Sequence, residues 1–297
     1  MTGWLIVNEF LQSNKFNEIH SWILGAARKQ KLDMHLKTNA QLLVDLSSEK
    51  KEDMYRLCGE SQPDFILFWD KDTRLASYLE QLKFPVFNSS QAIAACDDKS
   101  LTHLALMRVG IPMPRTIIAP KTFDNIGYTN MDFLTEAADR LGFPMVVKEC
   151  FGSFGQQVYL AKDLKELTVI LGKTGAKPVL FQKFIASSAG KDIRLQVVGG
   201  KVIASMYRYS ENGDFRANLT IGGKMKSYEP TKEQCRLAVQ CCEVLGLDYA
   251  GVDLLFGEDH QPLVCEVNSN AHFKNIFDCT GVNAADAIIT HIRNKLN

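Results

Sequence analysis

The feature that most constrains the fold is a change in how short apolar segments follow one another along the chain. Near the start, strand-like apolar runs at 4–7, 65–69 and 85–87 alternate with segments in which apolar residues recur every three or four positions. That recurrence is typical of amphipathic helices. The alternation of strands with helices predicts a small parallel sheet with helices on its faces.

Later in the chain, the strand-like segments follow one another as hairpins. The runs 193–198 and 201–207 flank Gly199-Gly200, a glycine pair that suits a tight hairpin turn. A second hairpin is expected from 252–256 and 263–267, after a helix at 232–245. The fold class predicted is α/β with α+β subdomains. Three units fit better than two, and they are residues 1–88, 89–182 and 183–297.

Charge and composition exclude several classes of protein. The 34 lysines and arginines balance 34 aspartates and glutamates, which argues against a general nucleic-acid binder. No apolar run approaches the length of a membrane span, and no basic leader precedes an apolar segment. The eight cysteines lack C-x-x-C spacing, which disfavours zinc ribbons and thioredoxin-like sites. A reducing cytoplasm is the expected location.

The second hairpin brings acidic side chains together on one face. A symmetric loop places Gly257 opposite Pro262, and counting back from that pair puts Asp253 opposite Glu266. Asn268 then shares the face of Glu266, because side chains alternate along a strand. The opposite face is apolar and carries Val252, Leu254, Cys265 and Val267.

Two carboxylates that face each other across strands repel unless a cation lies between them. A set of oxygen ligands without His or Cys suits Mg²⁺ or Mn²⁺ better than zinc. The hairpin therefore predicts a magnesium site at Asp253, Glu266 and Asn268. The alternative is the solvated polar face of an amphipathic hairpin.

A lysine and a glycine-containing turn form a second group of candidate residues. Lys148 ends an apolar strand, and Gly152-Ser153-Phe154-Gly155 follows closely. Backbone N–H groups in such a turn can surround phosphate oxygens while a lysine supplies charge. An ordinary hairpin turn is the alternative. Lys99, near the start of a helix, is a second candidate phosphate lysine or else a surface residue.

Arginines and amides supply a third group. Asp192 and Arg194 lie two residues apart at a strand start, and Arg216 with Asn218 lies in a loop. Either arginine could instead pair with a surface carboxylate. None of the six histidines neighbours a plausible nucleophile. The sequence therefore gives no sign of a nucleophile–histidine pair.

Taken in order, these elements resemble the ATP-grasp superfamily, and within it the RimK-type α-L-glutamate ligases. The resemblance covers about residues 88–297, with 1–88 as a preceding α/β domain. The matching segments are 98–99, 146–148, 152–155, 182–185, 192–194, 214–218, 251–253 and 266–268.

The resemblance implies a role for each candidate residue. ATP phosphates would contact Lys99 and Lys148, and the turn of Gly152, Ser153, Phe154 and Gly155 would fold over them. Adenine would lie against Gln182, Lys183, Phe184 and Ile185, read by the backbone of Lys183 and Ile185, with Asp192 near the ribose. Two Mg²⁺ or Mn²⁺ ions would be held by Asp253, Glu266 and Asn268. The transferring phosphate and the intermediate would be stabilised by Arg194, Arg216 and Asn218.

The activity so implied is an ATP-dependent carboxylate–amine ligase that forms an amide through an acyl phosphate. It would add an amino acid such as glutamate to a peptide, protein or small-molecule carboxylate. The alternatives are another ATP-grasp ligase, which matures peptides or forms dipeptides, and a non-catalytic nucleotide-binding regulatory module. RimK-type enzymes often form homo-oligomers, but no surface stripe in this sequence predicts one.

One segment departs from the family pattern. Many such ligases continue after the metal-binding Asn with Ala-Ser-Pro-Gly, whereas this chain has Ser-Asn-Ala-His-Phe-Lys at 269–274. The segment is expected to face the acceptor, so the family's substrates do not transfer directly to this chain. The role of 269–274 is left open by the sequence.

Overall fold

The computed structural model describes residues 1–11, 13–47, 50–52, 62–153 and 155–297. Within these residues the chain forms three β sheets of four, five and four strands. Cys58 lies outside the described residues, and the other seven cysteines are free thiols. No described helix is both long and apolar enough to cross a lipid bilayer.

The first sheet is parallel, as the strand–helix alternation predicts, with strand order β2-β1-β3-β4. The edge strand β2 was not expected, because its polar sequence Asp-Met-His-Leu-Lys-Thr contains no apolar run. The strands are β1 (Thr2–Val7), β2 (Asp33–Thr38), β3 (Phe65–Phe68) and β4 (Val86–Phe87). The helices of this part are α1 (Asn14–Lys29), α2 (Thr73–Gln81), α3 (Ser90–Asp97) and α4 (Lys99–Met107).

The second sheet is antiparallel, in the order β5-β8-β6-β7. Its two helices bury Leu134 and Leu167 in the core that also holds Phe181. The strands are β5 (Thr116–Ile118), β6 (Met145–Glu149), β7 (Val158–Ala161) and β8 (Val179–Lys183), and the helices are α5 (Phe133–Leu141) and α6 (Leu164–Thr174).

The third sheet is also antiparallel, in the order β11-β10-β9-β12-β13. Its expected helix is bounded by a capping box at Thr231 and by Gly246, whose φ is 69°. The strands are β9 (Lys191–Val198), β10 (Lys201–Tyr209), β11 (Lys224–Ser227), β12 (Tyr249–Phe256) and β13 (Pro262–Asn268). The helices are α7 (Lys232–Leu245), α8 (Lys274–Thr280) and α9 (Ala284–Leu296).

The hairpin of β12 and β13 contains an irregularity that the sequence did not reveal. The expected symmetric loop is wrong, since Phe256 rather than Gly257 lies opposite Pro262. The register then shifts by one residue, which restores the predicted pairing of Asp253 with Glu266. Cys265 is the extra residue of this bulge and lines a cleft, so its expected place on the apolar face is wrong.

The first and third sheets share one hydrophobic core. Ile19 and Ile23 of α1 pack with Ile288 and Ile292 of α9, and Tyr249 of β12 belongs to the same cluster. The second sheet has a separate core. A boundary at residue 88 thus divides residues that pack together, and the three-unit division stays a prediction.

Asn88 fixes the junction between the first and third sheets. Its buried amide donates to the carbonyls of Tyr249 and Ser269, at 2.9 and 3.1 Å. Its carbonyl oxygen accepts from the N–H of Asp248 at 2.7 Å. Fully satisfied buried amides of this kind hold neighbouring segments in one arrangement. The junction places the carboxyl ends of the parallel strands beside residues 269–274.

Candidate active site

A cleft of about 520 Å³ lies where the three sheets meet. Among the predicted site residues, Phe154 lies outside the described part of the chain. All the others line this cleft, and they are Lys99, Lys148, Gly152, Ser153, Gly155, Gln182, Lys183, Phe184, Ile185, Asp192, Arg194, Arg216, Asn218, Asp253, Glu266 and Asn268. The structure therefore brings these residues together, and their individual roles stay predictions.

The two lysines are buried rather than extended into solvent. Lys99 is 9% exposed and Lys148 is 7% exposed. The Lys99 ammonium donates to the carbonyl of Gly152 at 3.1 Å and lies 3.6 Å from a carboxylate oxygen of Glu266. The Lys148 ammonium lies 3.5 Å from the thiol of Cys265. Two buried cations at one end of a cleft suit an anionic ligand such as a phosphate chain.

The turn between β6 and β7 requires glycine at two positions. Gly152 has φ of 140° and Gly155 has φ of 73°, values that residues with a side chain rarely adopt. A side chain at Gly152 would also meet Gln157, whose Oε1 would be 2.5 Å from the added Cβ. The backbone of this turn therefore needs its glycines, and its contact with phosphates stays a prediction.

A cluster of two arginines and two aspartates forms the floor of the cleft. Arg194 donates to both oxygens of Asp253, at 2.6 and 2.7 Å. Arg208 donates to both oxygens of Asp192, at 2.7 and 2.8 Å, and its Nη2 lies 2.9 Å from Asp253. The formal charges of the four groups cancel, which allows them to be buried together.

The arginines also set the protonation of the carboxylate they share. Burial alone would raise the pKa of Asp253, but the charges of Arg194 and Arg208 lower that pKa to about 2. For Arg208 the effect of burial has the opposite sign, because burial alone would lower its pKa. The charges of Asp192 and Asp253 outweigh that effect, so the pKa of Arg208 is raised. Asp253 is thus ionised throughout the physiological range and available as a ligand.

Arg208 is a site residue that sequence reasoning missed. The tight turn at Gly199-Gly200 suggests a regular hairpin, in which Asp192 faces Tyr207. A register shift between Val202 and Ala204 brings Arg208 opposite Asp192 instead. No sequence signal marks that bulge.

Arg216 and Asn218 close the cleft from the loop between β10 and β11. Asp214 accepts two hydrogen bonds from the Arg216 guanidinium, at 3.0 and 2.8 Å. The same guanidinium donates to the carbonyl of Gly155 at 2.8 Å, so it ties this loop to the glycine turn. Asn218 caps the following short helix by accepting from Thr220 N–H at 2.9 Å.

The predicted metal ligands have the chemistry that a hard cation requires. Asp253 and Glu266 are directly paired on β12 and β13, and Asn268 lies two residues beyond Glu266. The Asn268 amide nitrogen is buried without a hydrogen-bond partner. Within the described ranges no three His, Cys, Asp or Glu residues gather as a metal site. Two carboxylates and an amide oxygen nevertheless fit Mg²⁺, which takes further ligands from water and phosphate.

The end of the cleft nearest the first sheet was not predicted. Asn8 and Asp70 follow β1 and β3, and both line the cleft with His20 of α1. The Asn8 amide donates to both Asp70 oxygens at 3.2 Å, and burial raises the pKa of Asp70. Polar residues just after parallel strands could have signalled this edge, because such strand ends commonly line ligand crevices.

Residues 269–274 pass between the third sheet and the first. The Asn270 amide donates to the carbonyl of Asp70 at 2.6 Å, and the His272 ring bonds the carbonyl of Lys15 at 3.0 Å. Asn270 Oδ1 and His272 Nδ1 are buried and lack partners. The segment thus lines the cleft beside Asp70 of the first sheet.

The three-sheet architecture is that of the ATP-grasp fold. A RimK-domain ATP-grasp protein from Sphaerobacter thermophilus superposes with a TM-score of 0.72 at 20% sequence identity, covering 98% of this chain and 99% of that one. The model of the RimK-like ATP-grasp domain matches residues 96–292. The chain belongs to the RimK-like ATP-grasp family.

Curated relatives agree with this assignment. Human N-acetylaspartylglutamate synthase A is 38% identical over 205 residues, which are 69% of this chain and 51% of that protein. A Legionella pneumophila (strain Corby) protein named "probable alpha-L-glutamate ligase" is 34% identical over 225 residues, 75% of this chain and 72% of its own length. The chain thus spans about half the length of the human relative.

Proposed function

We propose that the protein is an ATP-dependent ligase that joins a carboxylate to an amine through an acyl phosphate. One observation carries the proposal: buried lysines, paired arginines, and carboxylates with an amide all line a single cleft. Membership of the RimK-like ATP-grasp family supports ATP as the nucleotide. Simple nucleotide binding would not need the complete set of charged groups.

The reaction divides a difficult substitution into two easier ones. A substrate carboxylate oxygen attacks the γ-phosphorus of ATP, the bond to the β-phosphate oxygen breaks, and ADP leaves. The neutral amine then attacks the acyl carbon, phosphate leaves with the bonding electron pair, and the amine loses a proton. Two steps of this kind require no covalent bond to the protein, which accords with the absence of a nucleophile–histidine pair from the sequence.

The residues of the cleft would act by position and charge. Lys99 and Lys148 would bind phosphate oxygens, and Arg194, Arg208 and Arg216 would offset the charge that builds on the transferring group. The turn at 152–155 would cover the phosphates and exclude water from the acyl phosphate. Arg216 would aid that cover, since it already contacts the carbonyl of Gly155.

Asp253, Glu266 and Asn268 would hold two Mg²⁺ or Mn²⁺ ions. Bound divalent ions would neutralise phosphate charge and polarise the phosphoryl oxygens. Within the protein, Arg194 and Arg208 keep Asp253 ionised and fixed in position. The donor chemistry of these three side chains supports the assignment.

The amine and the carboxylate would enter between residues 269–274 and the first sheet. Asp70 lines this end of the cleft and offers a carboxylate acceptor for an amine, and Asn270 and His272 line the cleft beside it. An amino acid is the proposed amine, with glutamate the first to test, since it appears in the names of both relatives. Location in the cytoplasm, assembly into homo-oligomers and the lack of general nucleic-acid binding stay predictions.

The test is ADP release by the purified protein with Mg²⁺ and ATP. A panel of amino acids and peptide or small-molecule carboxylates should give ADP only with a matching pair, and mass spectrometry should find the amide. Nucleotide binding without ADP release across the panel would favour a regulatory module instead. An amide product that contains another amino acid in place of glutamate would identify a different ligase of the same fold.

A further inference from the structure

His103 of α4 lies behind the nucleotide end of the cleft and contacts Gln182 of β8. His103 Nδ1 lies 2.8 Å from the carbonyl oxygen of Lys99, and His103 Nε2 lies 3.1 Å from Gln182 Nε2. His103 does not line the cleft, whereas Gln182 does. Both side chains are buried, with exposures of 7% and 2%. Through this hydrogen bond, His103 can fix the orientation of the Gln182 amide, which faces the cleft.

The direction of each hydrogen bond in this link follows from chemistry. A carbonyl oxygen only accepts, so His103 Nδ1 carries the proton that it donates to Lys99. Burial, with a contribution from the charge of Lys148, lowers the pKa of His103 to about 4. The ring is therefore neutral near pH 7, and its Nε2 accepts. Only the NH₂ group of Gln182 can face that nitrogen, because the amide oxygen would repel it.

Thr116 fixes the amide from the other side. The Thr116 hydroxyl donates to the carbonyl of Pro114 at 2.8 Å, so its oxygen is left to accept. Gln182 Nε2 lies 2.9 Å from that oxygen. Both N–H groups of Gln182 are thus engaged by acceptors, and the amide cannot rotate by 180° without placing its oxygen against two acceptors.

The remaining polar atom of this amide is Gln182 Oε1. Within the described parts of the chain, no residue donates to it, and it is not among the buried unpartnered atoms. Since Gln182 lines the cleft, Oε1 is an acceptor available to a ligand there. A purine whose 6-substituent faces Oε1 offers it a donor when that substituent is an amino group and an acceptor when it is a carbonyl oxygen.

We propose that His103 is a positioning residue that fixes the amide of Gln182 and thereby selects 6-amino over 6-oxo purine nucleotides. The inference rests on the proposed nucleotide site, and it adds the hydrogen bonds that would make this site specific for adenine. Adenine gains a hydrogen bond from its amino group to Oε1. Hypoxanthine and guanine place a carbonyl oxygen against Oε1.

The test compares the dissociation constants of ATP and inosine triphosphate in Mg²⁺, because inosine lacks the 2-amino group that would add a steric difference. The unaltered protein should prefer ATP by roughly tenfold to a hundredfold. His103→Phe keeps a ring of similar size but removes one of the two acceptors that hold the Gln182 amide, so this preference should fall by about fivefold or more. His35→Phe, on β2 of the first sheet, is the matched histidine control and should leave the ratio unchanged.

A second variant separates positioning from packing. Gln182→Glu has acceptors at both terminal atoms, so adding it to His103→Phe should restore the preference for ATP. The inference would be overturned if His103→Phe bound ATP and kept the original ratio of the ATP and inosine triphosphate dissociation constants. It would also be overturned if the double variant His103→Phe with Gln182→Glu did not regain the preference for ATP. If neither nucleotide binds to the unaltered protein, the proposed function itself fails.

Discussion

Arg194 and Asp253 face each other on adjacent strands, joined by two parallel hydrogen bonds of 2.6 and 2.7 Å. Asp253 is also a predicted metal ligand, so a cation bound there must share this carboxylate with the guanidinium. The arrangement keeps the carboxylate ionised and oriented in the absence of metal. An ionised, oriented ligand lowers the conformational cost of binding the ion.

Replacing Asp253 and Glu266 together by alanine should remove the metal site. We expect Mn²⁺ binding in the presence of a non-hydrolysable ATP analogue to be lost, and ADP formation to fall by roughly a hundredfold or more. Electron paramagnetic resonance of Mn²⁺ and an ADP assay check the two effects. Asp248→Asn, whose carboxylate pairs with His291 and Lys295, is the control and should retain both activities. Full turnover by the double variant would rule out this metal site.

Arg208→Met should destabilise the protein because it leaves Asp192 buried without its cationic partner. Removing one member of a buried ion pair costs about 3–5 kcal/mol. The Arg208 and Asp192 side chains are 6% and 13% exposed, which places the pair in that class. Arg140→Met, which removes the exposed pair with Glu136, should cost less than about 1 kcal/mol. Urea denaturation followed by circular dichroism distinguishes the two, and equal costs would contradict the burial of the cluster.

ATP should protect Cys265 from alkylation. The thiol lines the cleft next to the Lys148 ammonium, where the proposed nucleotide would cover it. At ten times the dissociation constant of ATP, the labelling rate should fall about tenfold by mass action. Mass spectrometry of iodoacetamide-treated protein measures this rate for each cysteine. Cys235, at the first turn of α7, serves as the internal control, and its rate should not respond to ATP.

Gly251→Ala should displace residues 269–274. An added Cβ at position 251 would lie 2.5 Å from the Cβ of Ala271, so the segment has to move. Such overpacking costs about 1–3 kcal/mol. We expect a rise in KM for the amine or carboxylate substrate with little change in ATP affinity. Adding Ala271→Gly removes the opposing methyl group and should restore KM. If KM were not restored, residues 269–274 would not be part of the substrate-binding site.

The stability of the protein should decrease between pH 6.5 and 4 in part because of His103. The pKa of a histidine in the unfolded chain is about 6.5. In the folded protein, burial and the charge of Lys148 lower the pKa of His103 to about 4, although the charge of Glu266 acts in the opposite direction. In this interval the unfolded chain binds a proton that the folded protein does not, so acid favours unfolding. The difference corresponds to about 3 kcal/mol.

Removing the ring should flatten that pH dependence. His103→Phe should show a smaller loss of stability than the unaltered protein when urea midpoints at pH 6.5 and 4.5 are compared. Identical slopes for His103→Phe and the unaltered protein would show that His103 does not stay neutral in the fold.

The sequence predicted the elements whose signals are local. The parallel first sheet follows from the alternation of strands with helices, and helix α7 follows from its capping residues. The predicted pairing of Asp253 with Glu266 is observed, but only because a bulge at Cys265 offsets the error in the predicted loop. β2 was missed because an edge strand need not be apolar. Arg208 and the orientation of Cys265 were missed because each depends on a bulge, which moves every later side chain by one position.

The end of the cleft near Asn8 and Asp70 was missed for a different reason. Which strand ends meet a ligand depends on how the first and third sheets pack, and that packing rests on contacts between residues far apart in sequence. The Asn88–Tyr249 and Asn270–Asp70 hydrogen bonds connect positions more than 150 residues apart. No local pattern encodes such a pairing, although each partner is a polar residue beside an apolar strand.

The packing of α1 against α9 sets the order in which this chain can complete its fold on the ribosome. Ile19 and Ile23 emerge early, yet the isoleucines that cover them, Ile288 and Ile292, are made near residue 290. Domains generally fold during synthesis from the N-terminal side. One face of the first sheet can pack against α2 as soon as that helix is made, whereas the apolar face of α1 stays open to water until α9 follows. The apolar face of α1 is thus the last part of this core to be covered during synthesis.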